Sequence, residues 1–189
     1  SGTDTVTSIG CGVVGRCTVM AIAEAMPEVK KMYIADLDMS KAQDIINEYQ
    51  PKYPWLELIP TTDTKAAAEK SQVIITQTTA TKEFIDESWV VPGKSLVAVG
   101  AIEVAPEVVL KSDIVVVDEW NQMITNESRP VAVLHREGKI EKEQTLDLTD
   151  LVLDPKKGRQ SDEQFVYCSA LGLGALDIMI SYEMYLKAK

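Results

Sequence analysis

The stretch Thr5-Val6-Thr7-Ser8-Ile9-Gly10-Cys11-Gly12-Val13-Val14-Gly15 decides how the rest of this chain is read. A short β-prone run enters a G-x-G-x-x-G turn, and a helix-prone run, Cys17 to Met26, leaves it. In a strand–turn–helix unit that holds a dinucleotide, each glycine has a physical reason to be there. Gly10 makes the tight turn, Gly12 leaves the backbone open to a pyrophosphate, and Gly15 lets the helix lie close on the strand. The amides of Val13, Val14 and Gly15 then stand at the positive end of the helix dipole, facing the phosphates. Because the bare motif is common, its surroundings must agree with it.

Such a unit continues into a second strand ending in an acid about 20 residues on, where a carboxylate accepts hydrogen bonds from the adenosine ribose. Lys31-Met32-Tyr33-Ile34-Ala35-Asp36 is a β-like run that ends in Asp36 at that spacing. A carboxylate there repels a 2′-phosphate, and only Lys41 follows closely, so the pattern favours NAD(H) over NADP(H). The competing role for Asp36 and Asp38 is to cap the helix beginning near Met39.

The remainder alternates strand-like and helix-like segments, the pattern of a parallel α/β sheet. Helices are expected at Met39–Tyr49, opened by Ser40, at Asp63–Lys70 and at Glu103–Leu110; strands at Leu56–Ile59, Gln72–Thr76, Ser95–Val99, Asp113–Val117 and Phe165–Cys168. Residues 119–160 read as polar and mostly helical, and Leu171–Lys187 as a long final helix. The expected fold is α/β, a Rossmann-type doubly wound, mostly parallel sheet with a long C-terminal helix. Residues 1–170 form the dinucleotide-binding domain, and 171–189 a helix whose Ile178, Met179, Tyr182, Tyr185 and Leu186 are expected to pack against a further domain or another subunit.

Composition narrows the partners. The 189 residues carry a net charge of −10, which argues against nucleic acid or an anionic membrane surface. The longest apolar stretch, Phe165 to Leu186, is broken by Gly172, Gly174, Asp177 and Glu183 and does not read as a membrane span. Cys11, Cys17 and Cys168 are odd in number, lack metal-like spacing and suit a reducing cytoplasm, with Cys11 and Cys17 read as small packed residues beside the glycine turn and not as a redox pair.

Chemistry is expected at the strand ends. Thr76-Gln77-Thr78-Thr79-Ala80-Thr81 follows the fourth strand and Val99-Gly100-Ala101 the fifth. Thr78, Val99 and Gly100 are therefore candidates to face the nicotinamide side of a dinucleotide. Arg16 either reaches the pyrophosphate or faces solvent. His135, the one histidine, lies far from any strand end and reads as a surface residue, and no cluster of ligating side chains predicts a metal.

Several of these pieces resemble the ornithine cyclodeaminase/mu-crystallin family in order and identity. They are Gly10-Cys11-Gly12-Val13-Val14-Gly15-Arg16, Ile74 to Thr78, Leu96 to Gly100 and Lys111 to Asp118. The most specific is Gly158-Arg159-Gln160-Ser161-Asp162-Glu163-Gln164, with Leu171-Gly172-Leu173 and Asp177 behind it, which looks like the family's G-R-x-S-D signature and following helix. The resemblance covers nearly the whole chain. It implies an NAD(P)-dependent enzyme that transfers hydride at an amino-acid Cα–N bond, in an amino acid or a cyclic imine, and it expects the signature to lie near the cofactor cleft.

Two departures qualify what the resemblance implies. Family members carry a substrate-binding and dimerisation domain ahead of the glycine loop, whereas four residues precede Thr5 here. The expectation is the cofactor half of an enzyme, inactive alone, reaching an amino-acid or imine substrate through an absent domain and forming a homodimer at full length. The family's loop after the fifth strand also carries a catalytic aspartate, whereas Gly100-Ala101-Ile102-Glu103 runs almost directly into the next helix. Glu103 is the one candidate for a substitute base, and Ala170 stands where many members have a serine. The alternative function is a non-catalytic NAD(H)-binding module. A Rossmann domain from another amino-acid dehydrogenase family is a third reading.

Overall fold

The eight strands form one sheet in which every pairing is parallel. The computed structural model describes residues 2–189. The strands are β1 (Thr5–Ile9), β2 (Lys31–Ala35), β3 (Glu57–Thr61), β4 (Val73–Thr76), β5 (Ser95–Ala98), β6 (Ile114–Val117), β7 (Leu146–Asp147) and β8 (Val166–Ser169). The helices are α1 (Val13–Ala25), α2 (Met39–Tyr49), α3 (Thr64–Glu69), α4 (Pro106–Lys111), α5 (Trp120–Met123), α6 (Pro130–Arg136), α7 (Leu148–Leu153) and α8 (Gly174–Ala188). The sheet order is β3-β2-β1-β4-β5-β8-β6-β7. The winding reverses between β1 and β4, and a crevice opens beyond the carboxyl ends of strands at such a reversal.

Apolar, β-branched runs become central strands because both faces of a parallel sheet are covered. All five residues of β1 are buried, and Val115, Val116 and Val117 of β6 are likewise inside. Two cores result. Val6, Val19, Ile22, Met32, Ile34, Ile45 and Leu58 pack together in the first half. Ile74, Leu96, Val108, Val117, Trp120, Leu134 and Tyr167 pack in the second. Each fully buried side chain of this size contributes about 1.5–3 kcal/mol.

The expected elements are present, with shifts that have local causes. α1 begins at Val13, inside the glycine turn, rather than at Cys17. α2 starts as expected, but its cap is Asp38, whose carboxylate accepts from the Ser40 amide at 2.9 Å. α4 starts at Pro106 instead of Glu103, because proline at N1 is pre-set for a helix and Glu103 turns into the interior. The 119–160 segment holds α5, α6, α7 and two isolated 3-10 turns, and also β7, a two-residue edge strand too short to leave a periodic pattern.

Candidate active site at the carboxyl ends of the strands

The glycine turn lies at the winding reversal. Gly10 adopts φ 105°, donates its amide to the Ala35 carbonyl at 2.8 Å, and has the Gln77 carbonyl where a side chain would go. Only glycine meets both demands without strain. A Cβ on Gly15 would press into the Gly10 carbonyl, so helix and turn touch backbone to backbone. Gly12, by contrast, has open space where a side chain would stand. It is the N-cap of α1 and supplies no side-chain cap, whereas α2, α3 and α5 are closed by Asp38, Asp63 and Glu119. The first-turn amides of α1, Val13 and Val14 among them, therefore lack a side-chain acceptor and suit an anion.

Asp36 reaches back over the turn. One carboxylate oxygen accepts from the Cys11 amide at 2.9 Å and the other from the Asp38 amide at 3.0 Å. Each oxygen keeps lone pairs for further donors such as ribose hydroxyls. Helix capping falls to Asp38, and Asp36 is left to the turn. Gln77 braces the turn from below: its Nε2 donates to Ser8 Oγ at 2.6 Å, and its Oε1 accepts from Thr18 at 3.2 Å.

Thr78 sits beside the turn, its methyl among the atoms nearest Gly10, with its amide bound to the Glu103 carboxylate. Val99 and Gly100 follow β5 and both donate to the Thr76 carbonyl. Val99 also lines a recess of about 270 Å³ with Asp118, Ala170, Leu171 and Leu176. Asp118, at the end of β6, accepts from the amides of Leu171 and Gly172 and so fixes the backbone that leaves β8. Strand-end position is the signal that could have singled out Asp118 in the sequence.

Other candidates fall elsewhere. Glu103 is 1% exposed, and its carboxylate fills the space a Gly100 side chain would take. The glycine at 100 thus accommodates Glu103 from inside the protein, and the carboxylate does not face the recess as a base would. Arg16 pairs with Glu48 on the surface. His135 is not a free surface residue: it packs edge-on against Trp120 at 5.1 Å between centroids, with Nδ1 3.1 Å from the Ile140 carbonyl. Cys11 is buried as expected, and burial together with Asp36 pushes its thiol up to about 12, away from redox chemistry. Cys17 is exposed, contrary to the packed reading. Among the described residues no group of ligating side chains could hold a metal, and no helix is long and apolar enough to cross a membrane.

The G-R-x-S-D segment is not at the crevice. Arg159 donates to the Gly93 and Lys94 carbonyls and to Ser95 Oγ, and Gly93 donates to the Glu163 carbonyl. These contacts lie at the amino end of β5, on the side of the sheet opposite the carboxyl ends of the strands. The signature ties the entrance of β5 to the approach to β8; its guanidinium forks onto three main-chain and side-chain oxygens, a task suited to arginine.

Comparison with known proteins agrees with this fold. The chain is 28% identical over 184 residues to N-((2S)-2-amino-2-carboxyethyl)-L-glutamate dehydrogenase of Staphylococcus aureus, covering 97% of this chain and 54% of that protein. It superposes with TM-score 0.79 on Thermococcus litoralis Δ1-pyrroline-2-carboxylate reductase in complex with NADH and L-proline, at 24% identity, over 98% of this chain and 59% of that one. An archaeal alanine dehydrogenase dimer with bound NAD gives TM-score 0.79 at 21% identity, over 98% and 57%. The chain thus spans just over half the length of these relatives. The family model described as ornithine cyclodeaminase/mu-crystallin family matches residues 1–189, and the chain belongs to that family.

Proposed function

We propose that this chain is the NAD(H)-binding part of an oxidoreductase that transfers hydride at the Cα–N bond of an amino acid or cyclic imine. The observation that carries the reading is Asp36 bonded to the Cys11 amide above a helix whose first turn has no side-chain cap. The pyrophosphate would lie on Gly10, Gly12 and the amides of Val13, Val14 and Gly15. Asp36 would hold the adenosine ribose, and Thr78, Val99 and Gly100 would flank the nicotinamide end. Bound there, the nicotinamide supplies or accepts the hydride.

The names of the relatives support the substrate class: one is a dehydrogenase of an amino-acid conjugate, another a reductase seen with L-proline. Residues 1–170 serve as the cofactor domain, and α8 would pack against the part of such proteins that this chain does not match. That part would bring the groups for the substrate carboxylate and the proton transfer, so the chain alone is expected to bind NADH without turnover. Full-length assembly as a homodimer in the cytoplasm follows the same reading, as the alanine dehydrogenase relative is a dimer. The length of these relatives favours an enzyme part over a stand-alone binding module.

Calorimetric titration with NADH tests the proposal. The unaltered chain should bind, and Asp36→Ala should weaken binding about tenfold, as expected for losing hydrogen bonds to a charged acceptor. Absence of binding, or an affinity indifferent to Asp36→Ala, would remove the basis for the reading.

A further inference from the structure

Two buried residues of opposite charge hold the end of β5 from either side. Arg129, the N-cap residue of α6, is 5% exposed. Its Nη1 donates to the Gly100 carbonyl at 2.7 Å and the Ala98 carbonyl at 3.2 Å, and its Nη2 donates to the Val99 carbonyl at 2.8 Å. Three successive main-chain carbonyls thus converge on one guanidinium. Desolvation pulls its pKa down, opposed by Tyr167, Glu103 and Asp118 nearby. On the other side, the Glu103 carboxylate binds the Thr78 amide and fills the space beside Gly100. Arg129 Nε and Glu103 Oε2 are both buried without a hydrogen-bond partner.

A buried guanidinium with an unpaired nitrogen is a costly way to close a loop, and carbonyls can be satisfied more cheaply by backbone amides. What this arrangement provides is complete fixation. The Val99 and Gly100 amides both go to Thr76, and their carbonyls go to Arg129, so neither residue has a free backbone polar group. We propose that Arg129 is a positioning residue for the nicotinamide end of the site, holding the Val99–Gly100 backbone at the place where that ring would lie. This rests on the NAD(H) reading above. It differs from a purely structural role because Arg129 acts on the β5 end and not on the glycine turn or Asp36, which would hold the adenosine half.

Paired titrations of the full chain with NADH and with ADP-ribose, which lacks the nicotinamide, test it. Arg129→Lys keeps the charge and loses the planar fork that spans three carbonyls. ADP-ribose affinity should stay within about twofold, while NADH affinity falls about tenfold. Parallel losses for both ligands, or no loss for NADH, overturn the proposal. If the unaltered chain fails to bind ADP-ribose, the cofactor reading itself falls, and this inference with it. Should Arg129→Lys not fold, hydrogen exchange on the unaltered chain decides. The Val99 and Gly100 amides should be protected as strongly as those of β5 before any ligand is added, and loop-like exchange there overturns the inference.

Discussion

Gly12 and Gly15 stand three positions apart in one turn and are glycine for different reasons. A side chain at 15 would meet the Gly10 carbonyl, a backbone atom that cannot step aside, while a side chain at 12 would meet nothing. Gly15→Ala is therefore expected to cost about 1–3 kcal/mol or more in urea unfolding, as overpacking does. Gly12→Ala should cost under about 1 kcal/mol yet weaken NADH binding. A Gly12→Ala chain that binds NADH normally would show that nothing approaches the turn there. These two positions and Asp36 were legible because motif spacing encodes backbone geometry. Arg129 and the inward turn of Glu103 were not, since their partners lie 25 to 31 residues away and no local pattern marks a buried charge.

At the scale of elements, α8 is the anomaly. None of its residues is buried, and Leu176, Ile180 and Met184 are exposed alongside Ile178, Met179, Tyr182, Tyr185 and Leu186. The exposed apolar side chains extend well beyond the face expected from sequence, interrupted by Asp177, Ser181, Glu183 and Lys187, a spread that a helix keeps where something encloses it. A chain ending at Leu173 should consequently unfold within about 0.5 kcal/mol of the full one, as for loss of exposed residues. In sedimentation velocity the full chain should associate with rising concentration and the shortened one should not. Equal behaviour of the two would mean that α8 drives no association. Most element positions were legible from apolar runs and prolines; the boundaries moved where a cap or an inward-turning side chain, rather than periodicity, set them.

For the whole molecule, burial of weak acids sets the response to alkali. Burial pushes the thiols of Cys11 and Cys168 up to about 12 and about 11 from 9.0, with Asp36 and Asp118 adding to the effect, and the phenol of Tyr167 to about 12 from 10.0. The folded chain keeps protons that the unfolded chain releases. That stabilisation is whole below about pH 9 and declines as pH rises toward the folded values. The urea midpoint should fall between about pH 9 and pH 11, and less steeply in Cys168→Ala. A flat profile would mean that these groups are not held in their neutral forms. The class of fold was legible from the alternation of elements, but the order of strands was not, because no local signal says which neighbour a buried parallel strand will take.

That order has a consequence for how the molecule is made. β8, the latest in sequence of the described strands, lies between β5 and β6 and, among the described residues, is the strand paired with both. During synthesis β1 to β5 can assemble as soon as they emerge, whereas β6 and β7 pair only with each other until Val166–Ser169 leaves the ribosome. The sheet is completed from its interior, by a few residues that follow the other strands in sequence, and a nascent chain halted before them carries two unjoined pieces with open, sticky strand edges.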